Sequence, residues 1–263
     1  MAKLTKYENT INKEGITKAQ QESLIQARVL VMGAGGLGSG VIMNLAALGV
    51  GYIKIVDDGI VTETDFNRQL IHKEKNIGRA RVISAKDWVQ EYNSDIKVEL
   101  DKIRLNDLNY YGVIQGYNII VDCFDGYESK YLLNEIAIRH NLTLVHGATK
   151  GYCGQVTTII PSKTGCLSCV IPKPKTFNNT SYANISPVVN TIAAFQTQEI
   201  MKLITGAGEP LLNKLLVYDG LNTRFKIINY TKNMACSNGK NEFKKHKNNS
   251  YFNNSAIHSC INF

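Results

Sequence analysis

The 263 residues, 44% of them hydrophobic, suffice for one large domain with a buried core or a domain with appendages. No apolar run reaches the roughly 18 residues that span a bilayer, and the N-terminal MAKLTKYENTINKEG lacks the apolar core of a signal peptide, so a cytoplasmic location without a membrane partner is expected. The formal charge of +8 lies in scattered lysines and in a basic stretch from Lys240 to Lys247, with no aromatic-interleaved stripe, so no nucleic-acid partner is expected either.

Residues 1–27 read as a polar N-terminal arm in which Thr17 caps a helix running from Lys18 toward Ala27. The apolar run Val29 to Met32 then predicts a strand buried on both faces. Gly33, Gly35, Gly36 and Gly38 follow at once, a pattern that permits a tight turn and close approach of backbone amides to phosphate. Val41, Leu45 and Leu48 recur at helical spacing up to Gly49, and a second strand, Tyr52 to Val56, delivers Asp57 and Asp58 to its end. Asp57 falls about 20 residues past the last glycine, where a ribose-binding acid belongs. Strand, glycine turn, helix, strand and acid make a complete βαβ nucleotide site, but this motif does not separate a dinucleotide from ATP.

The polar loop after Asp58 lies on the same sheet edge, which puts Arg68, Arg79 and Arg81 where phosphates would sit, or else makes them plain surface charges. A helix from Ala80 to Tyr92, a strand from Ile96 to Leu100, a helix-like piece around Leu105 to Ile114 and a strand from Tyr117 to Val121 come next. That strand ends in Asp122-Cys123-Phe124-Asp125. Beside triphosphate oxygens a carboxylate needs an intervening cation, so Asp125 is a candidate magnesium ligand, while one of the two aspartates could cap the helix beginning near Tyr127. A helix from Glu128 to His140 and a strand from Leu142 to Val145 lead into HGATKGYCGQVTTIIP, which suggests a turn into an antiparallel edge strand. The stretch Pro172 to Asn184 reads as a crossover loop, Pro187 to Ile204 as a long helix closed by Gly206, and Leu215 to Asp219 with Phe225 to Ile228 as a last pair of strands. The expected fold is α/β, a Rossmann-like, doubly wound and mostly parallel sheet over residues 28–238, extended by antiparallel strands. Residues 239–263, rich in Lys, Asn and Ser, read as a disordered tail.

Six cysteines in an unsecreted chain argue for thiols or metal ligands rather than a disulfide framework. Cys166 and Cys169 have the spacing of half a zinc knuckle, and Cys236 starts a second half in which Gly239 stands at the last ligand position. His246, His258 or Cys260 could complete the set. Otherwise the three remain a weak three-cysteine zinc site or plain reduced thiols.

In order along the chain, GAGGLG, ETDFNRQ, IGRARVISA, VDCFDG, YLLNE, GQVTTIIP, CLSC and YDG resemble the ThiF/MoeB/HesA family, relatives of ubiquitin-activating enzymes, from about Lys6 to Cys236. The resemblance implies a homodimeric adenylyltransferase. It would use ATP and magnesium to adenylate the C-terminal glycine of a small ubiquitin-like sulfur carrier ending in Gly-Gly. Arg68 and Asp125 match the family's phosphate-binding arginine and metal-binding aspartate, with Gln69 beside them in the loop. Asn9 and Lys6 stand where the arm's arginines align, Gly59 where a ribose-binding aspartate aligns, and Asp65 where an asparagine aligns, leaving Asn67 as a stand-in. Arg81 replaces a phosphate-contacting lysine, Gly126 an asparagine and Lys130 an arginine. A carboxylate at Asp65 is expected to repel the phosphates. These departures leave a second reading, a degenerate binding subunit that keeps the fold but not the chemistry. Residues Phe177 to Tyr182 of the crossover loop contain no cysteine, so the reaction of an active member is expected to stop at the adenylate. A nicotinamide oxidoreductase has only the glycine motif in its favour.

Overall fold

The computed structural model describes residues 4–171, 173, 183–233, 236 and 260. An eight-stranded sheet in the order β3-β2-β1-β4-β5-β6-β7-β8 runs through it. The strands are β1 (Arg28–Met32), β2 (Tyr52–Val56), β3 (Lys97–Asp101), β4 (Ile119–Asp122), β5 (Thr143–Lys150), β6 (Cys153–Ile159), β7 (Lys214–Asp219) and β8 (Arg224–Asn229). From β3 to β5 all pairings are parallel, and β6, β7 and β8 continue antiparallel. The apolar runs explain the split: β1, β2 and β4 are buried along nearly their whole length, as strands covered on both faces must be.

Helices α1 (Lys18–Gln26), α2 (Gly36–Leu48), α3 (Arg81–Tyr92) and α7 (Ser186–Thr205) enclose a core with Val29, Val31, Ile53, Ile55 and Val145. On the opposite face α4 (Tyr110–Ile114), α5 (Tyr127–Arg139) and α6 (Leu167–Val170) pack with Leu30, Met32, Ile120 and Leu144. Alternate residues of the central strands, such as Val29 and Leu30 of β1 or Leu144 and Val145 of β5, supply the two cores, the period that a pleated strand imposes. The capping box predicted at Thr17 forms with Gln20. Gly49 and Gly206 end α2 and α7 in the left-handed conformation, with φ of 76° and 69°. No helix among the described residues is long and apolar enough to cross a membrane.

Three expectations are corrected. The strand after Leu142 is longer than its apolar run, continuing to Lys150, because β6 pairs along all of it from Leu144 onward. β6 is therefore an interior strand rather than an edge, since β7 pairs with its other side, and β8 is the edge. Cys153 and Cys260 are not thiols: they form a disulfide across 107 residues, with a Cα separation of 5.0 Å. The two cysteines meet only in three dimensions, so spacing along the chain gave no sign of it. Most of the crossover loop, residues 172 and 174–182, lies outside the described residues, as does the tail apart from Cys260.

Candidate functional site

The glycine turn sits where β1 gives way to α2, at the carboxyl edge of the parallel strands. Gly33 has φ of +107°, open to glycine alone at no steric cost, and a Cβ on Gly38 would run into the Gly33 carbonyl. No side chain caps α2, so its first amides face outward from the N-terminus of a 13-residue helix, the usual seat of a phosphate. The turn is held on both sides. Ala34 donates its N–H to Asp57 Oδ2 at 2.8 Å, and the Gly59 N–H reaches Asp57 Oδ1 at 2.7 Å. His72 lies 3.1 Å from the Ala34 carbonyl through Nε2 and 2.9 Å from Ser84 Oγ through Nδ1. A carbonyl can only accept, so Nε2 carries the proton and Ser84 donates to Nδ1. Burial pushes the His72 pKa below its ordinary value, which keeps that tautomer neutral. Nothing in the sequence singles out His72, because its partners lie 12 and 38 residues away.

Arg68 and Gln69 come to the turn as expected. A Cβ on Gly36 would stand 3.5 Å from Arg68 Cγ, and one on Gly35 would stand 3.9 Å from Gln69 Nε2. The Arg68 guanidinium is oriented by the Thr64 carbonyl at 3.0 Å and Asn67 Oδ1 at 2.7 Å, which puts Asn67 behind the arginine rather than in front of it. Asp125 lies on the next strand end, exposed, with no hydrogen bond or ion pair among the described residues. Asp58 is exposed beside Asp57. Arg79 pairs with Asp87 on α3, as a surface charge does.

The expectation of repulsion from Asp65 is corrected. Asp65 is 1% exposed, and Arg81 Nη2 donates to both of its oxygens at 3.0 and 2.9 Å. Gln69 Nε2 adds a bond at 2.6 Å and the Thr62 amide one at 3.0 Å. Burial alone would raise the Asp65 pKa, but the Thr62 amide and Arg81 hold it below the ordinary value, so its charge is retained and neutralised inside the protein. A Cβ on Gly59 would lie only 2.9 Å from Arg81 Nη1 and from Asp57 Oδ1. Three departures thus form one unit: arginine for lysine at 81 needs the carboxylate at 65 and the missing side chain at 59. Arg81 Nε and Gln69 Oε1 remain buried without a partner, a donor and an acceptor beside the glycine turn. These open valences and the uncapped α2 fit a nucleotide.

Asp122 does not cap α5, whose N-cap is Gly126 without a side-chain bond. It is fully buried, with Lys130 Nζ at 3.2 Å and His146 Nδ1 at 2.7 Å, and Lys130 also reaches the Gly147 carbonyl at 2.7 Å. The charge of Asp122 is therefore spent inside the fold, and Asp125 is the carboxylate that faces out.

Cys166, Cys169 and Cys236 come together, with their sulfurs within 4.8 Å of one another and the Cys166–Cys169 and Cys166–Cys236 separations at 3.8 and 3.3 Å. Thiolates about 2.3 Å from a tetrahedral zinc stand about 3.8 Å apart, so the set fits the metal. The Asn233 amide already donates to Cys169 Sγ at 3.4 Å, a bond that favours a thiolate. Crowding by the other two sulfurs, together with burial, raises the Cys166 pKa well above the ordinary thiol range, and a cation at the centre would reverse that. Of the expected completing ligands, Cys260 is excluded by its bond to Cys153, and His246 and His258 lie outside the described residues. Chain purified without chelator is expected to carry near-stoichiometric zinc by elemental analysis and to lose it in Cys166→Ser. Metal-free protein melting at the same temperature with and without chelator would refute the site.

A glycine turn on an uncapped helix, at the carboxyl edge of a mostly parallel sheet, defines a Rossmann-like fold with a turn shaped for phosphate. The chain belongs to the ThiF family, whose model matches residues 7–238. It is 34% identical over 237 residues to the SAMP-activating enzyme E1 of Haloferax volcanii, covering 89% of this chain and 87% of that protein. It is 33% identical over 216 residues to the heterocyst protein HesA of Trichormus variabilis, covering 82% and 81%. The adenylyltransferase and sulfurtransferase MOCS3-1 of Zea mays is 36% identical over 212 residues, 79% of this chain but 45% of that one. Among solved structures, E. coli MccB with ATP matches 83% of this chain and 68% of its own at a TM-score of 0.75 and 25% identity.

Proposed function

We propose that this chain adenylates the C-terminal glycine of a small ubiquitin-like sulfur carrier ending in Gly-Gly, with ATP as the other substrate. The observation that carries the reading is the meeting of the α2 N-terminus, Arg68 against Gly36 and the outward-facing Asp125 on one sheet edge. In the reaction a carboxylate oxygen of the carrier bonds to the α-phosphorus, the bond from that phosphorus to the bridging oxygen breaks, and pyrophosphate leaves. The chain's own part is to hold two anions together and to steady the departing charge. Glycine-turn amides and Arg68 do so on the phosphate side. Asp57, Asp58 and Gln69 stand on the ribose side, and Asp125 would hold magnesium, which would supply positive charge against the phosphates. Arg81, already paired with Asp65, lends shape and a half-buried positive group rather than a mobile phosphate contact.

The paired Asp65 removes the main electrostatic objection to an active site, so the enzyme is favoured over a degenerate binding subunit. The functional unit we infer is a cytoplasmic homodimer. Lys6, where an arm arginine aligns, is occupied at the opposite end of the sheet by Asn93 and Asp95 at 2.7 and 2.9 Å, so the arm of this chain does not supply that charge. Carrier-dependent exchange of labelled pyrophosphate into ATP, with magnesium, tests the reading. No exchange with any carrier captured by the chain would leave the binding subunit. Arg68→Ala is expected to raise the KM for ATP and to lower kcat/KM about 100-fold, the usual loss for one aligned charge-stabilising donor. Kinetics equal to the parent would return Arg68 to the surface charges.

A further inference from the structure

The amino edge of the parallel strands, at the far end of the sheet from the glycine turn, carries a cavity of about 130 Å³. Tyr7, Ile25, Tyr52 and Ile96 give it apolar walls, and the exposed Asp95 and Lys97 stand at its rim. Helix α2, about 20 Å long, separates the two ends: the glycine turn opens it, and its cap Gly49 lines the cavity. The N-terminal arm builds one wall. Tyr7 is 7% exposed, and its phenol packs where a Cβ on Gly49 would stand. Asn93 Nδ2 donates to the Tyr7 hydroxyl at 2.9 Å, while Lys6 Nζ donates to Asn93 Oδ1 at 2.7 Å and to Asp95 Oδ2 at 2.9 Å. Wall and rim are thereby fixed together. The Tyr52 ring is held by the Arg28 guanidinium, 4.8 Å from the ring centre.

The rim carries both signs of charge. Lys97 Nζ, 5.2 Å from the Tyr52 ring centre, has no hydrogen bond or ion pair among the described residues. Asp95 keeps 41% of its side chain exposed, and a carboxylate has about four acceptor sites, so Lys6 does not exhaust it. Helices α1 and α2 both end at this edge, and the partial negative charge of their C-termini adds to that of Asp95. A bare cation entering the cavity would be repelled by Lys97, and a bare anion by Asp95 and the helix ends. A zwitterion satisfies both. The floor sets its size: a cavity of about 150 Å³ holds benzene, so this one takes a branched or aromatic side chain. We propose that the cavity is a second ligand site, for a free α-amino acid with an apolar side chain, whose ammonium meets Asp95, whose carboxylate meets Lys97 and whose side chain packs on Tyr7, Tyr52 and Ile96. The site stands apart from the adenylation reading and does not depend on it.

The test titrates the full chain with L-phenylalanine and follows the backbone amide resonances in ¹⁵N-labelled protein. Binding is expected to saturate with a Kd of about 1 mM, the affinity of a ligand with about a dozen heavy atoms, and to move the amides of Gly49 and Gly51 but not those of the glycine turn. N-acetyl-L-phenylalanine lacks the ammonium and L-phenylalaninamide lacks the carboxylate. Each is expected to bind about tenfold more weakly, the equivalent of one lost charge-assisted hydrogen bond. Lys97→Met and Asp95→Asn keep the size of the exposed side chains and should each weaken L-phenylalanine about tenfold while leaving the melting temperature at the parental value. Lys97→Met should leave L-phenylalaninamide unaffected, because that ligand has no carboxylate for Lys97 to lose. An unmoved spectrum at about ten times the expected Kd overturns the proposal. So does equal affinity for the two blocked forms, or parental affinity in both variants. Displacement of the amino acid by ATP would put it at the glycine turn and would also end the proposal.

Discussion

An Asp125→Ala chain is expected to lose carrier-dependent pyrophosphate exchange by about 100-fold or more, because the proposed function gives this carboxylate the task of holding magnesium on the phosphate side. Its stability should stay within about 0.5 kcal/mol of the parent, since an exposed side chain that bonds nothing among the described residues adds little to the fold. The two readouts together separate a ligand of the reaction from a structural acid. Exchange at the parental rate would end the magnesium role.

Asp122, three residues earlier, should behave in the opposite way. Asp122→Ala leaves the Lys130 ammonium, whose side chain is 5% exposed, without its counter-ion, and a buried pair broken on one side destabilises by about 3–5 kcal/mol. For a domain of this size that is about 10 °C in melting temperature. Burial alone would raise the Asp122 pKa, but the Lys130 charge and the His146 hydrogen bond hold it below the ordinary value, so the ionised carboxylate is the state being removed. Adding Lys130→Met to Asp122→Ala should restore much of the loss, because it removes the stranded charge. A single variant as stable as the parent in urea titration would show that Lys130 is neutral or hydrated.

The contrast between these aspartates shows where sequence reasoning reaches. The βαβ unit was legible to within a residue, from Arg28–Met32 through Gly49 to Tyr52–Val56, because apolar period, glycines and strand end are local properties. Arg68 and Asp125 followed from the same sheet-edge logic. Asp65 was misread as a source of repulsion because its partner is 16 residues away on another element and because Gly59 made the room. Two aspartates in VDCFDG look alike until α5 brings Lys130 and β5 brings His146 against one of them. The interior position of β6 was equally hidden, since a strand's own residues do not name its neighbours. The Cys166–Cys169 spacing was informative because the ligand geometry of a CxxC pair is local. Cys236, 70 residues from Cys166, is joined to that pair only by the fold.

The Cys153–Cys260 bond turns the second half of the chain into a covalent ring that contains α6, α7, β7, β8 and all three clustered thiols. A loop of about 100 residues closed in this way removes about 4–5 kcal/mol of chain entropy from the unfolded state in the loop-closure account. A protease that cuts any single peptide bond between the two cysteines would open the ring without releasing a fragment. Such nicked protein should run as one band on a denaturing gel until a thiol is added, and then as two.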